Sequence, residues 1–336
     1  MLITKIYKPS EFNEAAKELR LGELVAFPTE TVYGLGADAT NEQAVKRVYL
    51  AKGRPSDNPL IVTVSSLEMV KRFVPSLSKE VEKIIEKFWP GSLTIVLKIK
   101  DGSLSKTVTG GLKTAAFRMP KNETTLNLIT ALGNPIVGPS ANSSGKPSPT
   151  TAQHVYHDLE GRIAGILDDG PTDVGVESTI IDMSTEIPTI LRPGAVTAEE
   201  IEKVIGKEVY SDKHKVKENE IPKAPGMKYK HYAPSAQVLI VNKDNWNSAL
   251  QWANENKNQV GILADDEVLS KTLEKKTYSL GENVESAAKN LFAGLRYFDD
   301  DNQIKYILAE AFPEEGVGLA YMNRLKKSAG NQFYNK

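Results

Sequence analysis

The sequence predicts an α/β protein: a larger part built on a mixed sheet, followed by a smaller α/β unit. Three observations predict it. Short β-type runs alternate with helix-period stretches along the chain. After residue 160 several such runs follow one another with no helical pattern between them, so the sheet is expected to be mixed rather than purely parallel. The length, 336 residues, suits two domains, and a change of character over 211–235 separates them.

In order along the first part, the strand candidates are 24–28, 59–64, 93–98, 115–119, 135–137, 163–167, 179–182 and 189–191. Helix starts are read from capping signatures: Thr40 with Gln43, Thr150 with Gln153, and Thr197 with Glu200, the last followed by the apolar stripe Ile201, Val204 and Ile205. Residues 211–220 are almost wholly polar, and Pro222, Pro225 and Gly226 follow. Met227, Tyr229, His231 and Tyr232 are unusual in a mere spacer and suggest an ordered strap. Beyond it, 238–241, 260–264 and 306–311 read as strands, and 246–254 and 317–329 as helices. Val284, Ala287, Ala288, Leu291, Leu295 and Phe298 recur at helical spacing. This alternation resembles a small Rossmann-like sheet, with no glycine fingerprint and no paired catalytic groups, so a regulatory or covering role is expected there.

Composition excludes several classes. The balance of 42 basic and 43 acidic residues gives a net charge of −1, which argues against extended tRNA or DNA binding. The absence of cysteine removes disulfides, thiolate metal sites and thiol catalysis. The start Met1-Leu2-Ile3-Thr4-Lys5 lacks the apolar stretch of a signal peptide, and no run approaches a membrane span, so a soluble, cytoplasmic protein is expected. His154 and His157 lie three apart on an expected helix but lack a convincing third ligand, and no protein-bound metal is expected.

Four stretches are richer in functional residue types than a core requires. Residues 27–39 end a strand in hydroxyls, a carboxylate and the glycines Gly34 and Gly36. Gly34-Leu35-Gly36-Ala37-Asp38-Ala39 also matches the loose dinucleotide pattern, although the expected helix starts after the glycines and not within them. Lys52-Gly53-Arg54-Pro55-Ser56-Asp57-Asn58-Pro59 places two cations in a stiff turn before a strand, an arrangement suited to polyphosphate. Residues 138–150 form a hydroxyl-rich, anion-friendly loop that is neither a Walker A loop nor a nucleophile elbow. Thr114, Arg118, Ser178 and Arg192 stand at strand ends. Together Lys52, Arg54, Arg118, Lys146 and Arg192 are expected to converge on one anionic ligand. With no triad and no thiol, catalysis would rest on positioning and electrostatics, as in phosphoryl or nucleotidyl transfer.

These stretches resemble the two-domain threonylcarbamoyl-AMP synthase family, whose catalytic part is a YrdC-like domain. The matching pieces are Phe27-Pro-Thr-Glu-Thr-Val-Tyr-Gly-Leu-Gly36, Lys52-Gly-Arg-Pro-Ser-Asp-Asn-Pro-Leu-Ile-Val62, Trp89-Pro-Gly-Ser-Leu-Thr94, Arg118-Met-Pro120, Pro139-Ser-Ala-Asn142, Gly175-Val-Glu-Ser-Thr179 and Leu191-Arg-Pro-Gly194. Pro225-Gly-Met-Lys-Tyr-Lys-His-Tyr-Ala-Pro234 resembles the linker of the long form, and Met322-Asn-Arg-Leu325 the end of its second domain. The resemblance implies a YrdC-like domain with a twisted mixed sheet over 1–210, a linker strap over 211–235 and a Rossmann-like domain over 236–336.

It also implies a reaction: L-threonine, bicarbonate (or CO2) and ATP give threonylcarbamoyl-AMP and pyrophosphate, for a downstream tRNA threonylcarbamoyl transferase machinery. Mg2+ is expected to accompany ATP. Carried over by position, Thr31, Arg118, Ser178 and Gly138 resemble threonine contacts. So does Thr63, although the family often has His there. Arg54, Asn58, Thr114, Ser140, Ser148 and Arg192 resemble ATP contacts, Lys52 and Arg54 the catalytic cations, and Tyr232, with Tyr229 second, the linker residue against the nucleotide. Two rivals remain open at this point: a nicotinamide-dependent enzyme using the glycine pattern, and an RNA-binding module without chemistry.

Overall fold

The computed structural model describes residues 2–56, 58–211, 222, 232–256, 258–272, 276–299 and 301–335. Most of the expected strap, with Met227, Tyr229 and His231, lies outside the described residues, as does Asp57. The chain forms two units. One comprises Met1–Ser144, Pro149–Thr172 and Glu177–Lys228, the other Gly145–Ser148, Asp173–Val176 and Tyr229–Lys336.

In the first unit the described strands are β1 (Lys5–Tyr7), β2 (Val25–Phe27), β3 (Gly34–Asp38), β4 (Ile61–Thr63), β5 (Leu93–Lys98), β6 (Thr114–Arg118), β7 (Ile136–Val137), β8 (Gly165–Leu167), β9 (Thr179–Asp182), β10 (Thr189–Arg192) and β11 (Tyr210–Ser211). They make one mixed sheet in the order β1-β8-β2-β3-β7-β4-β6-β5-β9-β10-β11. The helices are α1 (Phe12–Arg20), α2 (Glu42–Lys52), α3 (Leu67–Lys71), α4 (Lys79–Phe88), α5 (Lys106–Thr109), α6 (Glu123–Leu132), α7 (Ala152–Leu159) and α8 (Ala198–Ile205).

Successive side chains on a strand face opposite ways, so each strand writes two surfaces at once. Val62, Ile95, Leu97, Ala115, Phe117 and Ile181 join the main core, together with Val45 and Val48 of α2, Ile84 of α4 and Ile201 of α8. On the other surface Val25, Phe27 and Ile136 pack with Leu19 of α1 and Leu128, Ile129 and Leu132 of α6.

The structure corrects several local expectations. Gly34–Asp38 is not a strand-to-helix turn. It is a wholly buried strand, antiparallel to β2 with Phe27 opposite Gly34. Its glycine makes room for a ring, since a Cβ on Gly34 would stand 2.4 Å from Phe27. A dinucleotide fingerprint needs its glycines where a helix begins, so the nicotinamide reading falls. Helix α2 is capped by Asn41, which accepts from the N–H groups of Gln43 (3.1 Å) and Ala44 (3.2 Å). Thr40 is unavailable because its hydroxyl donates to Asp38 at 2.6 Å. Helix α7 is capped by Thr151, one residue after the expected Thr150. The Thr197–Glu200 capping box forms as expected. Strands β1, β11 and β14 (Thr277–Ser279) were not anticipated.

The second unit carries β12 (Gln237–Val241), β13 (Val260–Ala264), β14 and β15 (Tyr306–Glu310), all parallel in the order β12-β15-β13-β14. Its helices are α9 (Trp246–Glu255), α10 (Asp266–Leu269), α11 (Val284–Asp299) and α12 (Val317–Ala329). Ala249, Leu250 and Ala253 of α9 pack on Val241, Ile262 and Leu308. Phe298 of α11 lies against Gly261, on the opposite face of β13. Among the described residues no helix is long and apolar enough to cross a membrane.

Candidate active site

The register of five strands turns scattered polar residues into one row. Thr63 of β4 pairs with Arg118 of β6, and Ile61 with Ala116. Ala116 pairs with Val96 of β5, and Thr114 with Lys98. Thr94 pairs with Ile180 of β9, which pairs in turn with Arg192 of β10. Paired residues share a face, so Thr63, Thr94, Thr114, Arg118 and Arg192 all rise from the same surface. Between them Ile61, Val96, Ala116 and Ile180, with Leu191, form an apolar floor separate from the main core. Thr114 and Arg118 bound a row of about 13 Å, four strand residues.

At one end sits Arg118. Its Nη1 donates to Thr31 Oγ1 at 2.8 Å and its Nε to the Gly91 carbonyl at 3.3 Å. Its Nη2 lies 2.8 Å from Glu30 Oε1 as an ion pair, off the line of a hydrogen bond. Glu30 is held in turn by the Ser92 hydroxyl (3.0 Å) and the Lys121 N–H (3.2 Å). Thr29 and Thr31 share a hydrogen bond at 2.8 Å, which fixes the Thr31 rotamer. Both members of the ion pair are buried. A buried charge is tolerated only when so partnered, and here the partners also set the direction of the guanidinium fork.

A second knot joins Ser178, Thr94 and Arg192. The Ser178 and Thr94 hydroxyls lie 2.7 Å apart. Arg192 Nη2 donates to Ser178 Oγ at 3.2 Å and Nε to the Ser178 carbonyl at 3.1 Å. Gly138 stands on the row's side of the sheet. A Cβ there would lie 2.6 Å from Thr63 Oγ1 and 2.9 Å from the Phe27 ring. Its missing side chain is thus required by protein packing.

Lys52 differs from the expected open turn. It is the last residue of α2, buried, and its ammonium donates to the carbonyls of Ser140 and Asn142, the latter at 2.7 Å. The loop it grips is also tied to β3, with Leu35 N–H donating to Pro139 O at 2.7 Å and Ala141 N–H to Tyr33 O at 2.8 Å. Burial pushes the Tyr33 phenol up, and its hydroxyl donates to Gly170 O at 2.7 Å. Arg54 lines a cavity of about 910 Å³ beside Lys46 and Lys106. Asn58 is fully buried, yet neither its amide oxygen nor its amide nitrogen has a partner. Leaving both unmet costs on the order of 1–3 kcal/mol for each group, so a native structure keeps such an amide for a reason.

The remaining expected residues belong to the second unit. Ser148 is fully buried there. Tyr232 adopts φ 66° and packs on Phe292 at 5.1 Å. Lys146, expected among the converging cations, lies 3.7 Å from Asp299. Reasoning from sequence missed Glu30, Thr94 and Asn142 as supports. Glu30, a carboxylate flanked by threonines inside a quoted motif, carried a usable signal. His157 pairs with Asp158 at 3.0 Å, and among the described residues no group of three or more His, Asp and Glu could hold a metal ion.

Comparison with known proteins shows the family. A family model described as "Telomere recombination" matches residues 17–194, and one described as "Threonylcarbamoyl-AMP synthase, C-terminal domain" matches 196–330. The threonylcarbamoyl-AMP synthase of Bacillus subtilis is 48% identical over 323 residues, covering 95% of this chain and 93% of that one. Its counterpart from Pyrococcus abyssi is 46% identical over 322 residues, with 94% and 93% covered. A crystal structure of P. abyssi Sua5 complexed with L-threonine matches with TM-score 0.90 at 43% identity, covering 98% of both chains. With two strand-end arginines each held beside a hydroxyl on one sheet face, and likeness along nearly its whole length, the chain belongs to the two-domain threonylcarbamoyl-AMP synthase family.

Proposed function

We propose that the chain joins L-threonine, bicarbonate (or CO2) and ATP into threonylcarbamoyl-AMP and pyrophosphate, with one water released when bicarbonate is the carbon source. The threonine amine attacks the carbon to form a carbamate. A carbamate oxygen then attacks the α-phosphorus of ATP, and pyrophosphate leaves. No protein nucleophile takes part.

The observation that carries this reading is the Arg118 guanidinium, aimed by Thr31, Gly91 and Glu30 at the end of the polar row. Its fork suits the α-carboxylate of threonine, and the P. abyssi relative was crystallised with that amino acid. Thr63, Ser178 and the backbone of Gly138 complete the threonine end. Arg54, Asn58, Thr114, Ser140 and Arg192 receive ATP. Lys52 fixes the 139–142 loop and supplies positive charge toward the phosphates. For Ser148 and Tyr232 the proposal is a part in holding the nucleotide, read from ATP dependence after substitution. Mg2+ would arrive with ATP and would neutralise phosphate charge. The proposed product would supply a tRNA threonylcarbamoyl transferase machinery, and the proposed location is the cytoplasm.

The test is pyrophosphate release from ATP with each cosubstrate omitted in turn. Release is expected only with both L-threonine and bicarbonate present. Release independent of either one defeats the proposal.

A further inference from the structure

The loop that carries Ser140 and Asn142 has almost no structure of its own. Residues 138–144 contain no helix and no ladder, only a single bridge between Ser140 and Gly34. Such a backbone keeps one shape only where other groups hold its N–H and C=O groups. Tyr33 O accepts the Ala141 N–H at 2.8 Å, and Lys52 O accepts the Ser144 N–H at 2.8 Å. The Lys52 ammonium takes the carbonyls of Ser140 and Asn142. One further hold comes from α7, through a residue the proposed chemistry does not use.

Asp158 is that residue, and nothing local asks for it. It is the second-last residue of α7, where the negative end of the helix dipole disfavours a carboxylate. Its side chain is 1% exposed, and burial disfavours the charge again. What it holds is the loop. Oδ2 accepts the Ser143 N–H at 3.0 Å, and the Asp158 carbonyl accepts the Ser143 hydroxyl at 3.3 Å. Oδ1 lies 3.0 Å from His157 Nδ1, so both carboxylate oxygens are engaged.

The Asn142 carbonyl and the Ser143 N–H belong to one peptide group. Its oxygen accepts from the Lys52 ammonium at 2.7 Å, and its N–H donates to the Asp158 carboxylate at 3.0 Å. A trans peptide points these two poles in opposite directions, so a buried cation and a buried anion hold one plane from its two ends. Each charge meets the end of the peptide dipole that attracts it, and each strengthens the other's bond. The Asn142 amide nitrogen donates to the Ser143 carbonyl at 2.8 Å, which ties the next peptide to the same arrangement. Rotating the 142–143 peptide would break both charged bonds at once, and Lys52 would lose an acceptor that fixes its ammonium.

We propose that Asp158 is a positioning residue for the nucleotide: it sets the 142–143 peptide, and through it the Lys52 ammonium and the Ser140 end of the loop. Its buried side chain touches no substrate. The inference rests on the ATP roles proposed above for Lys52 and Ser140, and adds a residue whose effect must pass through them. The threonine end, where Arg118 is held by Thr31 and Glu30, shares none of these bonds. Loss of Asp158 is therefore felt by ATP and not by the amino acid.

The experiment uses the full chain and reads pyrophosphate release with ATP and L-threonine varied in turn, beside amide exchange over 140–144. Asp158→Ala and Asp158→Thr both remove the acceptor. The second nearly keeps the side-chain volume, so the test survives if the first does not fold. Asp158→Asn keeps the shape and an oxygen for the Ser143 N–H. In the first two variants the KM for ATP is expected to rise about tenfold or more, with the KM for L-threonine within about twofold of wild type. Exchange of the Ser143 amide is expected to accelerate in both. Asp158→Asn is expected to restore the KM for ATP to within about threefold of wild type. The proposal is overturned if both KM values rise together, or if exchange accelerates while the KM for ATP stays put. It is also overturned if Asp158→Asn is as impaired as Asp158→Ala. Release by the wild type without L-threonine or bicarbonate would instead defeat the proposed function, so the two failures are told apart.

Discussion

Arg118 Nη1 donates to Thr31 Oγ1 at 2.8 Å, a bond that joins residues 87 positions apart and fixes the guanidinium fork before any ligand arrives. Arg118→Lys keeps the charge but loses the fork and its fixed direction. The KM for L-threonine is expected to rise about 10- to 100-fold, equivalent to one or two charge-assisted hydrogen bonds, while the KM for ATP moves little. Steady-state pyrophosphate release with each substrate varied separates the two constants. An equal rise in both would remove Arg118 from the threonine end.

Asn58 offers a test in which stability and activity part company. Asn58→Leu replaces an unsatisfied buried amide by an apolar group of similar size. The melting temperature is expected to hold or rise, and the KM for ATP to increase at least tenfold. A fall in melting temperature with unchanged ATP dependence would make the amide a structural group.

Lys52 holds two loop carbonyls, so its removal should loosen a defined segment. In Lys52→Ala, amide exchange at 140–144 is expected to accelerate and turnover to fall at least 100-fold with the fold retained. Loss of turnover with unchanged exchange would leave only the electrostatic role.

Gly138 cannot accept a methyl group without displacing Thr63 or Phe27. Gly138→Ala should destabilise by about 1–3 kcal/mol in denaturant titration, because the nearest obstacles are a buried hydroxyl and a ring. A neutral result would show that β7 shifts freely.

Glu310 gives stability a pH dependence of unusual sign. Its carboxyl is raised from 4.5 to about 7 by burial, with Asp265 and Glu267 adding to the rise. The folded state holds the proton more tightly, so this contribution is full below about 4.5 and is lost as pH climbs through about 7. The upper bound is on the order of 3 kcal/mol. Melting temperatures of wild type and Glu310→Gln between pH 5 and 8 should diverge, with the wild type losing more toward pH 8. Parallel curves would place the titration elsewhere.

The strands legible in the sequence were those with branched apolar runs. Leu93–Lys98 and Thr179–Asp182 form as read. Gly34–Asp38 was not legible, because its strand character comes from pairing with β2 and from the Phe27 ring, neither of which leaves a local mark. Lys5–Tyr7 is too short and too exposed to show an alternation. At the site, residue types and family likeness pointed to Arg118, Thr31 and Ser178. The way Lys52 is engaged could not be read, since its acceptors are backbone carbonyls that any residue would supply.

The alternation within Thr114–Arg118 has a consequence for how such a chain can change. Thr114, Ala116 and Arg118 face the polar row while Ala115 and Phe117 fill the interior. Inserting or deleting one residue there would exchange the two sets, burying a cation and exposing a ring in the same stroke. Substrate preference in this strand can therefore drift by substitution but not by a change of length.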